Sequence, residues 1–374
     1  MVNLARKNLL HDKLRFAITT AGVAFAVTLV LVQVGLFQGL LGNATTTIEH
    51  LDADLWVTSH NTPNIDFAQD FPETQVHRVR SIPGVERADN LIVGFVNVAL
   101  PNGARESAEV YALEDFARWN FPWNVVEGDV EDLRRGPYML VDESAAKRFG
   151  SFATGDYREV QGRRLKIIGR TRDAVSFTTT PLLFVDTRLL QEIIPDLRGR
   201  TTYVLVKLAP GADAAAVRAE IARRLPHNDV YTRAEWAARS REYWLVSTGL
   251  GLNMGVTVFL GCLVGLVIVA QTLYTSTMEH LKEFGTVKAI GGNNTDIYGI
   301  LAQQAAIAAL TGFALGAGIA LAMRPMVENL DLRVTITPGF AAVVFAGTVV
   351  MCLAAAMISF RKVASIDPAL VFRG

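Results

Sequence analysis

The sequence predicts an α-helical membrane protein with four transmembrane helices plus an α+β extracytoplasmic domain inserted between helices 1 and 2. Composition is the first observation behind that expectation. Hydrophobic residues make up 51% of the 374 and charged residues only 19%, and the mean hydropathy is +0.28, so the chain is more apolar than an ordinary soluble one. The second is that the excess is concentrated: no Asp, Glu, Lys or Arg occurs in residues 16–48, 243–278, 297–323 or 334–360. Each window exceeds the roughly 20 residues that a helix rising about 1.5 Å per residue needs to cross a hydrocarbon core of about 30 Å. The third is that residues 49–242, between the first two windows, are long enough to bury a core unaided.

Residues 1–15 are expected to be a cytoplasmic N-terminal segment carrying Arg6, Lys7, Lys13 and Arg15, and residues 16–41 the first transmembrane helix. Its apolar stretch is longer than the roughly 7 to 15 residues of a secretory h-region, which favours an uncleaved signal anchor over a cleaved signal. Lys282 and Lys288 mark residues 278–296 as cytoplasmic, and Arg361, Lys362 and Arg373 do the same for the tail, 361–374, because short basic flanks stay inside. By alternation the α+β domain, 42–245, and a short loop, 324–337 with Arg324 and Arg333, are expected on the outer side of the membrane. The remaining transmembrane helices are 246–277, 297–323 and 338–360.

Inside the outer domain, "LIVGFVNVAL" (91–100), Pro101-Asn102-Gly103 and "SAEVYAL" give a strand, turn, strand pattern. Three strand-to-helix units follow, with Asp142, Asp186 and Asp213 as helix caps, Gly150 as a stop and Pro195 beyond a helix end. Thr232 and Glu235 form a capping box before "RAEWAARSREYW", which has no Gly or Pro, so a stalk helix is expected to run into the second span. Trp236, Tyr243 and Trp244 are placed at the membrane interface, where aromatic rings concentrate, with packing inside the outer domain as the alternative.

Several chemistries are missing. A formal charge of zero argues against nucleic acid as a partner. Cys262 and Cys352 both lie in predicted spans and read as packing residues, so the outer domain is expected to lack disulfides. No phosphate loop of the G-x-x-x-x-G-K-[ST] type occurs in these residues, and His11, His50, His60, His77, His227 and His280 are scattered with no metal-ligand spacing. No metal site, no catalytic residue and no cofactor on this chain are therefore expected. The spans hold amides such as Gln33, Gln38, Gln271, Gln303 and Gln304 but no ionisable residue, which removes the usual ion relay of a secondary transporter.

Small residues recur four apart at Gly35 and Gly39, Gly251 and Gly255, Gly261 and Gly265, and Gly312 and Gly316. Such pairs let helices approach closely, either within one chain or as the dimer face of a homodimer. Between spans two and three, Phe284, Val287 and Ile290 fall on one side of a short helix, Lys282, Glu283 and Lys288 stay polar, Gly291-Gly292 ends it, and Asn294 or Thr295 caps the next. Spacing leaves two readings open, a helix resting on membrane lipid or a knob docked in another protein.

The segment "HLKEFGTVKAIGGNNTDIYGILAQQAAIAALTGFALGAGIALA" (280–322) resembles the signature of the FtsX/MacB superfamily of permeases, and "SFRKVASIDPALVFRG" (359–374) is similar to its closing segment. The N-terminal "LARKNLLHDKLRFAITTAGVAFAVTLVLVQVGLFQGLLG" resembles the DevC-like branch, and "IPGVERAD", "DESAAKRFG" and "GRRLKIIGRT" fit the superfamily's extracytoplasmic domain. The resemblance implies a permease subunit of a type VII ABC transporter in a bacterial inner membrane. It would act as a homodimer with a separate LolD/MacB-type ATPase that holds ATP and Mg, so this chain is not an enzyme by itself. It also implies that Glu279, Lys282, Glu283, Phe284, Gly285, Lys288, Ala289 and Gly291 couple to that ATPase, and that the stalk transmits motion outward by mechanotransmission. Relatives often carry Glu in the third span where this chain has Gln304, and the motif's first basic residue falls on His280 or Lys282. A DevC-like branch implies an HlyD-type adaptor, a TolC-like channel and efflux of an amphiphile: a glycolipid, lipid or peptide. The competing class is an FtsX-like scaffold that activates a cell-wall hydrolase without transport.

Overall fold

A computed structural model describes residues 12–177, 180–280, 283, 286, 293–328 and 332–364. The chain divides into two compact units, one of residues 1–39 with 251–374 and the other of residues 40–250. In order, the main elements are helix α1 (Lys13–His50), strands β1 (Leu55–Ser59) and β2 (Phe71–Pro72), α2 (Gln75–Arg80), β3 (Val85–Ala99), β4 (Arg105–Leu113), β5 (Val125–Glu127) and β6 (Tyr138–Asp142). Then come α3 (Ala146–Phe149), β7 (Tyr157–Val160), β8 (Arg163–Thr171), β9 (Leu182–Asp186), α4 (Thr187–Ile193), β10 (Arg200–Thr201) and β11 (Tyr203–Leu208). The last are α5 (Ala214–Arg224), β12 (Asn228–Thr232), α6 (Arg233–Glu242), α7 (Leu250–Glu279), α8 (Asn294–Glu328) and α9 (Pro338–Ala364).

Residues 40–250 are built on a ten-stranded mixed sheet in the order β12-β1-β11-β3-β4-β9-β6-β8-β5, with β7 against β3 and β8, while β2 and β10 pair separately. Most neighbours are antiparallel; β4 with β9 and β6 with β8 are parallel. The central strands are apolar on both faces because both faces are covered, the condition that turns alternation into a continuous apolar run. Trp56, Leu91, Val93, Tyr111, Leu113, Phe184, Tyr203 and Leu205 fill one side. Their sequence neighbours point the other way: Ile92, Ala112 and Val185 enter a second cluster, and Leu55, Val57, Val204 and Val206 a third.

The local signals act as their chemistry requires. Asn102 Oδ1 accepts from the Ala104 backbone N–H at 3.0 Å and Gly103 takes φ +84° in the β3–β4 turn. Asp142, Asp186 and Asp213 each accept from the backbone N–H two residues on, at 3.0, 2.8 and 2.9 Å, satisfying donors that a helix start leaves free. Gly150 ends α3 at φ +74°. Both halves of the Thr232 and Glu235 capping box form, at 2.9 and 3.2 Å.

Two expectations are corrected at the end of this unit. The helix that opens at Thr232 does not run on unbroken into the second apolar stretch. After α6 the chain makes a π-helical turn over Tyr243–Ser247, Gly249 adopts φ +72°, and α7 starts at Leu250, so the apolar helix covers Leu250–Glu279 where the sequence reading places a helix over 246–277. The widened turn is marked by the Thr248 backbone N–H donating to the Tyr243 carbonyl at 3.2 Å, with the Thr248 hydroxyl on the Trp244 carbonyl at 2.7 Å. The second correction concerns the aromatic residues. Trp236 is fully buried, stacked on Tyr231 at 5.3 Å and tilted against Tyr203 at 5.9 Å, and Trp244 is stacked on Phe177 at 3.7 Å. Tyr243 packs edge-on against Phe67. Trp236 and Trp244 are core of the outer unit and Tyr243 is half-buried against it, since apolar surface close at hand in the fold claims such rings first.

In the other unit, four helices (Lys13–His50, Leu250–Glu279, Asn294–Glu328 and, within α9, Pro338–Phe360) are long and apolar enough to cross a membrane. Helix α1 runs well past the expected 16–41. Pro338 opens α9, where its missing N–H leaves nothing unsatisfied, and the Thr337 hydroxyl accepts from the Phe340 N–H at 3.2 Å. Val23, Val27, Leu31, Val269, Leu301 and Ala355 are at the centre of this unit. Both Cys262 and Cys352 are free thiols, Cys352 buried in that core.

Candidate functional site

Two places follow from the sequence, the segment after α7 and the glycine-lined helix faces, and the fold adds a third inside the outer unit. At the first, α7 ends in Glu279, whose two carboxylate oxygens accept from both terminal nitrogens of Arg15 on α1, a fork geometry that only a planar guanidinium provides. Arg15 also pairs with Asp12 at 3.0 Å. His280 Nδ1 lies 3.0 Å from Glu283, which is exposed, and Glu283 and Thr286 are helical. Lys282, Phe284, Gly285, Lys288, Ala289 and Gly291 lie outside the described residues, as do Val287 and Ile290. The next helix begins at Asn294, one residue earlier than Asn294 as its cap would place it and two earlier than Thr295 would. The Asn293 backbone N–H donates to the Asp296 carboxylate at 2.8 Å, so Asn293 holds the cap position.

The second place is the seam around α1. A side chain at Gly261 would meet Leu29, and one at Gly265 would meet Ala26, both on α1. At Gly312 and Gly316 of α8 it would run into Val23, 2.5 Å away, and Val27, 2.8 Å away. Close approach lets the Thr28 hydroxyl reach the Gly316 carbonyl at 3.0 Å. Gly35 and Gly39 of α1 abut residues 333–336, with the Thr335 N–H on the Gly35 carbonyl at 2.9 Å. These six glycines thus face other parts of the same chain. Gly255, Gly318 and Gly347 meet nothing within 4 Å. Gln304 is buried on α8.

The third place holds two carboxyl groups that sequence reading did not single out. Asp66, in the segment after β1, and Glu109, on β4, are 4% and 0% exposed. Tyr111 donates its hydroxyl to Glu109 Oε1 at 2.9 Å, and Tyr203 donates to the carbonyls of Asn64 and Ile65 at 3.1 and 2.9 Å. Burial pushes both carboxyl groups up, Asp66 to about 7, and the Asp66 charge raises Glu109 further. A signal existed in the sequence: Glu109 shares a strand face with Tyr111 and Leu113, both core residues, so a carboxylate stood in an apolar register.

Residues 16–224 match the family model described as a MacB-like periplasmic core domain, more than half of the chain. The chain belongs to that family. Residues 255–368 match a second model, the FtsX-like permease C-terminal. An uncharacterised ABC transporter permease of Mycobacterium tuberculosis is 25% identical over 378 residues, covering 100% of both chains. Another, from Mycobacterium bovis, is 26% identical over 97% of this chain and 96% of that one. The macrolide export ATP-binding/permease protein MacB of Agrobacterium fabrum is 26% identical over 46% of this chain and 27% of its own length. Among solved structures, the periplasmic region of MacB from Actinobacillus actinomycetemcomitans covers 50% of this chain and 92% of its own, at 11% identity and a TM-score of 0.41. This MacB/FtsX-family protein is an ABC transporter permease, a membrane protein with four apolar helices and a large extracytoplasmic α+β domain between the first two.

Proposed function

We propose that this permease is the membrane half of an ATP-driven type VII exporter in a bacterial inner membrane, with both termini cytoplasmic and residues 42–245 periplasmic. The observation that carries the reading is the order of the two family matches: residues 16–224 fit a periplasmic core domain and residues 255–368 a permease C-terminal region. No phosphate loop occurs in the 374 residues, so ATP and Mg are assigned to a separate LolD/MacB-type ATPase. Two copies of the permease would work with it, together with an HlyD-type adaptor and a TolC-like channel, to move an amphiphile. A DevC-like first span is the reason for preferring that cargo class. Coupling falls to Glu279–Gly292, and the Arg15 and Glu279 pair would steady the helix end from which that segment departs. Motion would pass outward by mechanotransmission, beginning at the α6 segment capped by Thr232.

The reading is tested by reconstitution. Purified alone, the chain should show no ATPase activity above background, and activity should appear on adding the partner ATPase. Phe284→Ala should weaken co-purification of that ATPase, since truncating a buried Phe costs about 3 to 5 kcal/mol in a core. Gly285→Leu should block docking while leaving membrane insertion intact. If both variants capture the ATPase as well as the parent does, the segment is a helix on lipid and not a coupling element.

A further inference from the structure

The outer unit contains a buried acid pair that the permease function leaves unused. Asp66 and Glu109 come from different elements, the segment after β1 and strand β4, and each is raised by burial. The titratable groups that face them are Tyr111 on β4 and Tyr203 on β11, and among the described residues no Lys, Arg or His acts on either carboxyl. Polar neighbours arrive from three more elements. Thr47 near the end of α1 faces the Tyr111 hydroxyl, Ser176 faces Glu109, and the Trp244 indole of the π-turn faces Asp66. Among the described residues, Trp244 Nε1 falls short of a full hydrogen bond, and Asp66 Oδ2 and Glu109 Oε2 are buried without a hydrogen-bond partner, as are Asn64 Nδ2 and Ser240 Oγ.

A buried carboxylate without a cation or a full set of donors is costly, so the stable form of such a site keeps a proton. The same residues pin the seam: Phe67 packs on Tyr243 and Trp244, and Phe177, beside Ser176, stacks on Trp244. We propose that Asp66 and Glu109 are a proton-holding latch that keeps the 60–68 segment and the π-turn seated on β4, and that loss of the proton admits water and loosens that seam. The proposal concerns the outer unit alone and stands whether or not the chain exports an amphiphile.

The sign follows from linkage. A folded-state value raised above the unfolded one gives stability that is fully present below the unfolded value, near 3.8 for Asp66, and lost as pH rises through about 7. The test uses the full chain in lipid nanodiscs, comparing it with Asp66→Asn, Glu109→Gln and the double variant by thermal unfolding and by hydrogen exchange corrected for intrinsic rate. Between about pH 5 and about pH 9 the folding equilibrium constant of the parent's outer unit should fall by roughly a hundredfold to a thousandfold. Exchange should rise first in residues 60–68 and 240–247. Both effects should shrink in each single variant and vanish in the double. If the double variant does not fold, the singles decide. A folded variant that keeps the parent's full pH dependence, or a parent whose exchange rises evenly over the whole unit, overturns the latch.

Discussion

At the scale of single residues, what matters is whether a side chain has room and whether a charge has a partner. Gly316 and Gly318 make the first point, since they are two residues apart on α8 with opposite surroundings: a Cβ at Gly316 meets the Ala24 carbonyl and Val27, and one at Gly318 meets nothing within 4 Å. Gly316→Val should therefore destabilise the bundle by about 1 to 3 kcal/mol through overpacking, while Gly318→Val should be close to neutral. Thermal unfolding of both in the same detergent checks this; equal midpoints would mean that the α1–α8 seam yields easily. The acid pair makes the second point. Nothing in the composition sets Asp66 and Glu109 apart from other carboxyl groups; the strand register of Glu109 with Tyr111 and Leu113 points to its burial, and Asp66 shows its burial only in the fold.

At the scale of elements, the helices capped by Asp142, Asp186, Asp213 and Thr232 formed where the sequence placed those caps, because a cap acts within three residues of itself and needs little from the rest of the fold. Thr232→Ala removes one half of the box at the start of α6 and should cost about 1 kcal/mol, seen as a lower midpoint for the outer unit and faster exchange of the Glu235 amide, whose acceptor is the Thr232 hydroxyl. An unchanged Glu235 amide would show that the side chain does not cap in solution. The helix after α6 was less legible. A run without Gly or Pro before Leu245 reads as unbroken helix, yet the turn at Tyr243–Ser247 is π-helical and α7 waits until Leu250. The deciding contact is the stack of Trp244 on Phe177, a partner 67 positions away in sequence that no local pattern reveals. Phe177→Ala should shift Trp emission to longer wavelength and lower the outer unit's midpoint, the loss of a buried Phe being worth about 3 to 5 kcal/mol. An emission maximum that stays put would argue that the indole is held by something else.

At the scale of the whole molecule, four apolar helices and one inserted domain define a membrane protein, and orientation rests on the basic flanks. A reporter that fluoresces only in the cytoplasm should work when fused after residue 374 or inserted near Asn293, and fail at Asn102 in the β3–β4 turn. A bright Asn102 insertion would reverse the assignment.

The sequence by itself determined the number of apolar helices, the inserted α+β domain, the caps of the outer unit's helices and the family. These rest on length, composition and short-range patterns, which act without reference to distant residues. Tertiary structure decided the rest. It filled the faces of Gly261, Gly265, Gly312 and Gly316 with α1 of the same chain, a choice that spacing alone left between an internal seam and a second copy. It drew Trp236 and Trp244 into the outer core. It also brought Asp66 and Glu109 into one buried site, because the sheet is covered on both of its faces and a carboxylate on β4 is enclosed with the core residues.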